Sequence, residues 1–177
     1  MRRLVFATAV ILLLTVSASA QEETPKVEVF GGYSYGGSNA HGWNGSVAGN
    51  VNRWLGVVAD FGGQYTRIES PASSERIKTH SLLFGPRLSA RTKHVTPFAH
   101  VLVGAAHNDA RAREEGFDFH FTDTSFAVAV GGGLDVRVSE RVAVRAFQLD
   151  YLRTNFFGGT QNNGRISAGI VFRFGKK

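Results

Sequence analysis

The 177-residue chain contains no cysteine, which excludes disulfides, thiolate metal sites and thiol catalysis. Beyond residue 20 it has no apolar run approaching the ~20 residues that a transmembrane helix needs. No stretch carries a convincing helical stripe, and no Gly-x-Gly-x-x-Gly or phosphate-loop motif stands in a strand-to-helix context. The basic residues are scattered rather than clustered, so nucleic-acid binding gains no support.

What is present starts with Arg2 and Arg3, an apolar stretch from Leu4 to Leu14, and Ala18-Ser19-Ala20. A charged segment, an apolar segment and a small-x-small site read as a secretory signal peptide over residues 1–20. The apolar run is too short to cross ~30 Å of hydrocarbon as an anchor helix. No cysteine follows it, so no lipoprotein anchor is indicated. Residues 21–177 then form one domain with 18 Lys and Arg against 14 Asp and Glu, a net charge of +4. The 21 glycines lie inside alternating segments as well as in turns, as in Gly31-Gly32, Gly62-Gly63 and Gly131-Gly132-Gly133. That placement suits curved, closely packed strands and disfavours helices.

The clearest periodic signal is Arg165–Phe174. Ile166, Ala168, Ile170, Phe172 and Phe174 share one side of an extended strand; Arg165, Ser167, Gly169, Val171 and Arg173 share the other. Seven earlier segments behave similarly: Lys26–Tyr35, Asn44–Asn52, Trp54–Tyr65, Ile77–Ser89, Val95–His107, Thr124–Val138 and Arg141–Leu152. Connections after even-numbered strands are tight (Asn52-Arg53, Ala90–His94, Ser139-Glu140), and those after odd-numbered strands are longer, such as Thr66–Arg76 and Asn108–Asp123. This alternation is expected when one barrel rim faces the periplasm and the other faces outside, with both termini on the periplasmic side. An even number of strands lets the first pair with the last and removes sheet edges. The expected fold is all-β, an eight-stranded antiparallel up-and-down transmembrane β-barrel.

One face of each strand is steadily apolar, and the other mixes Gly, Ala and Ser with ionisable residues. This division assigns the apolar face to lipid and the mixed face to a narrow lumen. By parity Glu28, Asp60, Arg87, His100, Asp135, Arg137, Arg145, Asp150, Arg165 and Arg173 project inward. Charges confined there need partners, either as lumen-filling salt bridges or as a gated ion path between partners such as Asp135 and Arg173. Parity changes near Ala146-Phe147, predicting a bulge. Tyr33, Tyr35, Trp43, Tyr65, Tyr151, Phe156 and Phe157 would form an aromatic girdle at the long-loop rim, and Trp54 would sit at the other.

The leader, the eight strands, Gly-Gly-Tyr-Ser-Tyr in the first strand, Leu-Gly-Val-Val-Ala-Asp-Phe-Gly-Gly in the third and the closing Phe-Arg-Phe resemble the small OmpA-like, opacity-type outer-membrane barrels. The resemblance covers essentially all of residues 21–177. It implies residence in a bacterial outer membrane, contact with its lipid, and insertion by the barrel-assembly machinery. That machinery reads an alternating last strand with a terminal aromatic, a role that falls to Phe172 and Phe174. Gly175-Lys176-Lys177 follow Phe174, which departs from the family pattern.

No catalytic residue, cofactor or metal site is expected. His80-Ser81, with Asp60 and Glu75 in the region, invites comparison with a hydrolase triad, but neighbours on a regular strand point to opposite faces. His41, His107 and His120 lie on or beside the long connections, where loop histidines are usually just solvated. The aromatic alternation Phe117, Phe119, Phe121 raises a protruding hairpin whose edge would offer strand addition to a surface partner. The expected function is non-enzymatic, in envelope structure or surface interaction. The alternatives are a small ion or solute channel and, more remotely, a secreted calycin-like binder with its apolar faces turned inward.

Overall fold

The computed structural model describes residues 24–70, 73–114, 117–156 and 159–176. The leader at 1–20 and the girdle position of Phe157 fall outside them. The strands are β1 (Val27–Gly36), β2 (Ala40–Asn50), β3 (Leu55–Ser70), β4 (Ser73–Ser89), β5 (Val95–Glu114), β6 (Phe117–Arg137), β7 (Val142–Phe156) and β8 (Gly159–Phe174), with a short 3₁₀ turn at Gly37–Asn39. Every strand pairs antiparallel with its sequence neighbour, and β1 pairs with β8, closing the barrel.

The closing seam runs from Val27↔Phe174 to Gly36↔Arg165, with Gly32 opposite Gly169 at its middle. A Cβ on Gly32 would lie 2.2 Å from the Ala168 carbonyl oxygen, and one on Gly169 would lie 2.3 Å from that of Gly31. Both obstacles are backbone, so the close approach requires glycine. Gly169→Val should therefore lower the fraction of chain that closes, read as loss of the fast-migrating band on unheated gels.

The tight turns share one local device. Asn52 Oδ1 accepts hydrogen bonds from the Trp54 and Leu55 amides. Ser139 Oγ does the same for Arg141 and Val142, and Thr92 Oγ1 accepts from the Val95 amide. A short polar side chain thus satisfies backbone donors that a four- or five-residue connection leaves open.

The β3–β4 connection differs from expectation, whereas the β5–β6 extension is the protruding hairpin that the Phe117, Phe119, Phe121 alternation raised. Pairing of β3 with β4 continues from Thr66↔Ile77 to Ser70↔Ser73, and pairing of β5 with β6 continues from Asn108↔Asp123 to Glu114↔Phe117. Thr66–Arg76, expected as a polar loop, is paired as a ladder down to Ser70↔Ser73. Backbone N–H and C=O groups need partners on either side of a solvent boundary, and strands already in register supply them. Polarity there marks a change of surroundings, not the end of a strand. The same reason starts β2 at Ala40 and β8 at Gly159.

The bulge lies where parity placed it. β7 pairs Phe147 with Leu134 but Arg145 with Asp135, and its register to β8 shifts between Arg145 and Gln148. Ala146 and Phe147 both face outward.

Outward faces are apolar and exposed, including Leu82, Phe84, Val101, Phe126, Val130, Ile170 and Phe172. A soluble inward-facing binder would bury that belt, so the calycin-like alternative is discarded. The interior is more mixed than expected. Val58, Leu83, Leu102, Val171 and Phe30 are buried inside, because an eight-stranded barrel is narrow enough for its own side chains to fill. Phe156, expected in the girdle, is 3% exposed and points inward; beyond the bulge the even-numbered β7 residues face the lumen.

Candidate functional site

Glycines on the lumen face make room for long side chains. A Cβ on Gly62 would meet Arg165 Nη1 at 2.8 Å, and one on Gly131 would meet Asp150 Oδ1 at 2.1 Å. Into that space Arg165 donates from Nη2 to Asp60 at 2.9 Å and from Nε and Nη2 to Asp150 at 2.9 and 2.7 Å. Asn44 Nδ2 donates to both Asp60 oxygens at 3.0 Å. His100 Nε2 lies 2.8 Å from Asp150 Oδ1, and Gln148 Nε2 donates to Asp150 Oδ2 at 2.8 Å.

Gln148 links this cluster to a second one. Its Oε1 accepts from Arg145 Nη1 at 2.6 Å, while Arg145 Nε and Nη2 donate to Asp135 at 2.7 and 3.1 Å. Asp135 also accepts from Arg87 Nη2 at 3.1 Å, and Arg87 lies 3.5 Å from Glu28. Arg91 grips Glu28 with two nitrogens at 2.9 and 3.1 Å, and Arg173 Nε lies 3.7 Å from the same carboxylate. The Arg145 guanidinium stacks on the rings of Phe30 and Phe98 at 4.2 and 4.4 Å, and Arg87 stacks on Phe98 at 4.1 Å. Such stacking offsets part of the cost of desolvating arginine.

Sequence neighbours across the strands decide the pairs. Glu28↔Arg173 and Asp150↔Arg165 face each other across β8 ladders, and Asp135↔Arg145 across the β6–β7 ladder. The pair Asp135–Arg173 does not form, because each side chain has a partner on the adjacent strand. Arg137 is half-buried and, with Arg173, lines a cavity of about 450 Å³ at the tight-turn rim. Arg91 escaped sequence reasoning: it stands in a turn, where strand parity assigns no direction. Asn44, Gln148 and Phe98 share the lumen face and complete the network as neutral members.

The arrangement fills the middle of the lumen, with an outer cavity of about 390 Å³ on the far side. His80 packs edge-on against Tyr65 outside, while Ser81 lines the outer cavity, so the two diverge. The three dispersed histidines also go separate ways. The Tyr33 hydroxyl hydrogen-bonds His41 Nδ1, His107 bonds Thr124 and His120 bonds Asp109. Among the described residues no three metal-ligating side chains cluster.

A second feature lies beyond the girdle, where β3–β6 continue as a four-stranded sheet. Two residues past Tyr65, Arg67 pairs with Arg76, Arg76 with Arg111, and Arg111 with His120. Strands about 4.8 Å apart thus carry three arginines and a histidine in a row on one face. Like charges directly opposite repel, and Asp109 relieves one end, 3.3 Å from both Arg111 and His120. The His120 hydrogen bond, aided by the Arg111 charge, holds the Asp109 carboxyl below its ordinary range. A depressed carboxyl contributes above its unfolded pKa and loses that contribution as pH falls through the folded one. The Asp109 contribution to the hairpin contact should therefore fade as pH falls through its lowered carboxyl pKa, which the Asp109 carboxyl resonance would show in an NMR titration.

Residues 6–174 match the model of the outer membrane protein beta-barrel domain. No curated protein matches in sequence. Among solved structures, Ail, the attachment invasion locus protein of Yersinia pestis, is 20% identical with a TM-score of 0.66, over 85% of this chain and 99% of Ail. Ail in complex with the heparin analogue sucrose octasulfate gives 20% identity and a TM-score of 0.61, over 87% of this chain and 100% of that one. Neisserial surface protein A gives 17% and 0.60, over 84% of this chain and 96% of its own. At these identities the likeness is one of fold. Closed eight-stranded topology, a lipid-facing apolar belt and a family match across nearly the whole length lead to one conclusion: the chain belongs to the outer membrane protein beta-barrel family and resides in the outer membrane of Gram-negative bacteria.

Proposed function

We propose that the protein is a non-enzymatic surface-interaction protein, a plugged barrel that displays a cationic sheet to polyanions outside the cell. The observation that carries this reading is the cross-strand row Arg67, Arg76, Arg111 and His120, standing just beyond the outer aromatic girdle. Guanidiniums in a fixed row suit the sulfate or phosphate groups of an anionic glycan. The heparin analogue bound to Ail supports the same ligand chemistry for a barrel of this fold.

The test is binding of sucrose octasulfate and heparin to the refolded protein, beside the variant Arg67→Gln/Arg76→Gln/Arg111→Gln. The wild type should bind with an affinity that falls as salt rises, and the triple variant should bind at least about tenfold more weakly. No binding by the wild type, or equal binding by the variant, would reject the proposal.

In this reading the lumen residues Glu28, Asp60, Arg87, Asp135, Arg137, Arg145, Asp150, Arg165 and Arg173 are structural, and the barrel does not conduct. Planar-bilayer recordings should be silent, and stepwise conductance would favour the channel instead. Residues 1–20 serve as the export signal. Phe172 and Phe174 serve the assembly machinery despite Gly175-Lys176-Lys177, so Phe174→Ala should lower outer-membrane yield in cells while leaving refolding into detergent intact.

A further inference from the structure

Outward of the Asp60–Arg165–Asp150 cluster the lumen opens into the cavity of about 390 Å³, within the size range of small-molecule sites. It lies on the opposite face of the sheet from the arginine row. Three residues of its lining each carry a buried side-chain atom without a partner: Gln64 (Nε2), Asn108 (Oδ1) and Thr154 (Oγ1). Asn108 is 7% exposed and Thr154 5%. A buried donor or acceptor without a partner is costly, so three around one cavity point to something that hydrogen-bonds there.

Their placement is built by the ladders. Gln64 faces Thr79, and Thr79 faces Asn108, forming one row across β3, β4 and β5. Thr154 faces Gln161 across the β7–β8 ladder, on the other side of the closed barrel. Gly36 permits the Gln64 position, since a Cβ there would lie 2.6 Å from Nε2.

The lining also decides the ligand's charge. Among the described residues Arg165 is the one charged residue lining the cavity, and its guanidinium is already engaged by Asp60 and Asp150. Neither an anion nor a cation finds an available counter-charge. What remains is amide and hydroxyl groups, which donate and accept alike, flanked by the apolar side chains of Leu152 and Phe156. Hydroxyl-matching groups beside an apolar wall fit a molecule with a polar edge and a C–H face.

We propose that the outer vestibule binds a small neutral polyhydroxyl ligand, a mono- or disaccharide, through Gln64, Asn108 and Thr154. The site is independent of polyanion capture by the arginine row and survives the failure of that reading.

The experiment is an NMR titration of the whole labelled barrel in micelles, with glucose, sucrose and sucrose octasulfate as probes. Glucose or sucrose should give saturable shifts at Gln64, Asn108 and Thr154 at about 1–10 mM. Asn108→Leu and Thr154→Val should each weaken this by about tenfold, while both variants keep heat-modifiable migration. The Arg67→Gln/Arg76→Gln/Arg111→Gln variant should bind the neutral sugars unchanged. The proposal is overturned if no neutral sugar saturates by about 100 mM, leaving a vestibule that holds water alone. It is equally overturned if the vestibule variants bind as well as wild type, or if only the octasulfate perturbs these residues.

Discussion

Asp150→Ala should destabilise the folded barrel by about 3–5 kcal/mol, the range for breaking a buried ion pair by removing one partner. Asp150 accepts from Arg165 twice, takes Gln148, and lies against His100. Its loss leaves Arg165 with Asp60 alone, in a position where the residue is 3% exposed. Water cannot replace the lost carboxylate without opening the packed interior. Asp150→Asn should cost less, because the amide oxygen still accepts one hydrogen bond. Urea titration of the refolded barrel, followed by heat-modifiable migration, measures both. Because Arg165 bridges two carboxylates, a double-mutant cycle with Arg165→Met should show strong coupling. A loss below about 1 kcal/mol for Asp150→Ala would mean that water already reaches the cluster, and would revive the ion-path reading.

The second large effect is expected at Ile170. It lies in the outward apolar face of β8 between Gly31 of β1 and Val144 of β7. Ile170→Arg places a guanidinium among lipid chains near the middle of the β1–β8 seam, at a cost of about 2–4 kcal/mol. Ser167→Asp should cost less. Ser167 faces the lumen between Ser34 and Gln148, and among the described residues the barrel interior holds five buried arginines (87, 91, 145, 165 and 173) against four carboxylates (28, 60, 135 and 150). The added charge therefore meets compensation that a lipid-facing residue lacks. The comparison uses the same refolding assay in lipid vesicles, and equal costs at the two positions would mean that the strand's faces are reversed.

β8 shows why so much was legible in the sequence. Its alternation assigns each residue a side without reference to any other strand, and the observed exposures follow it from Arg165 to Phe174. The bulge was equally legible, because a break in parity at Ala146-Phe147 is itself a local signal. The β5–β6 hairpin was legible in the Phe117, Phe119, Phe121 alternation, but the end of β3 was not: composition turns polar at Thr66 because the surroundings change, while the hydrogen-bond ladder continues to Ser70. Phe156 was misplaced for a related reason: rim position is a matter of height, and facing is a matter of parity.

The amino-acid sequence by itself determined the strand count, the inward and outward sets, and thereby a membrane barrel with charges in its interior, since period-two patterning is a property of each segment alone. Only the tertiary structure decided which charges meet. Register across the closed sheet sets Glu28 opposite Arg173 and Asp150 opposite Arg165, and brings Arg91 from a turn into the lumen. It also aligns Arg67, Arg76, Arg111 and His120 from four strands, and leaves Gln64, Asn108 and Thr154 around one cavity. Those groupings depend on relative strand displacement, which no single segment encodes.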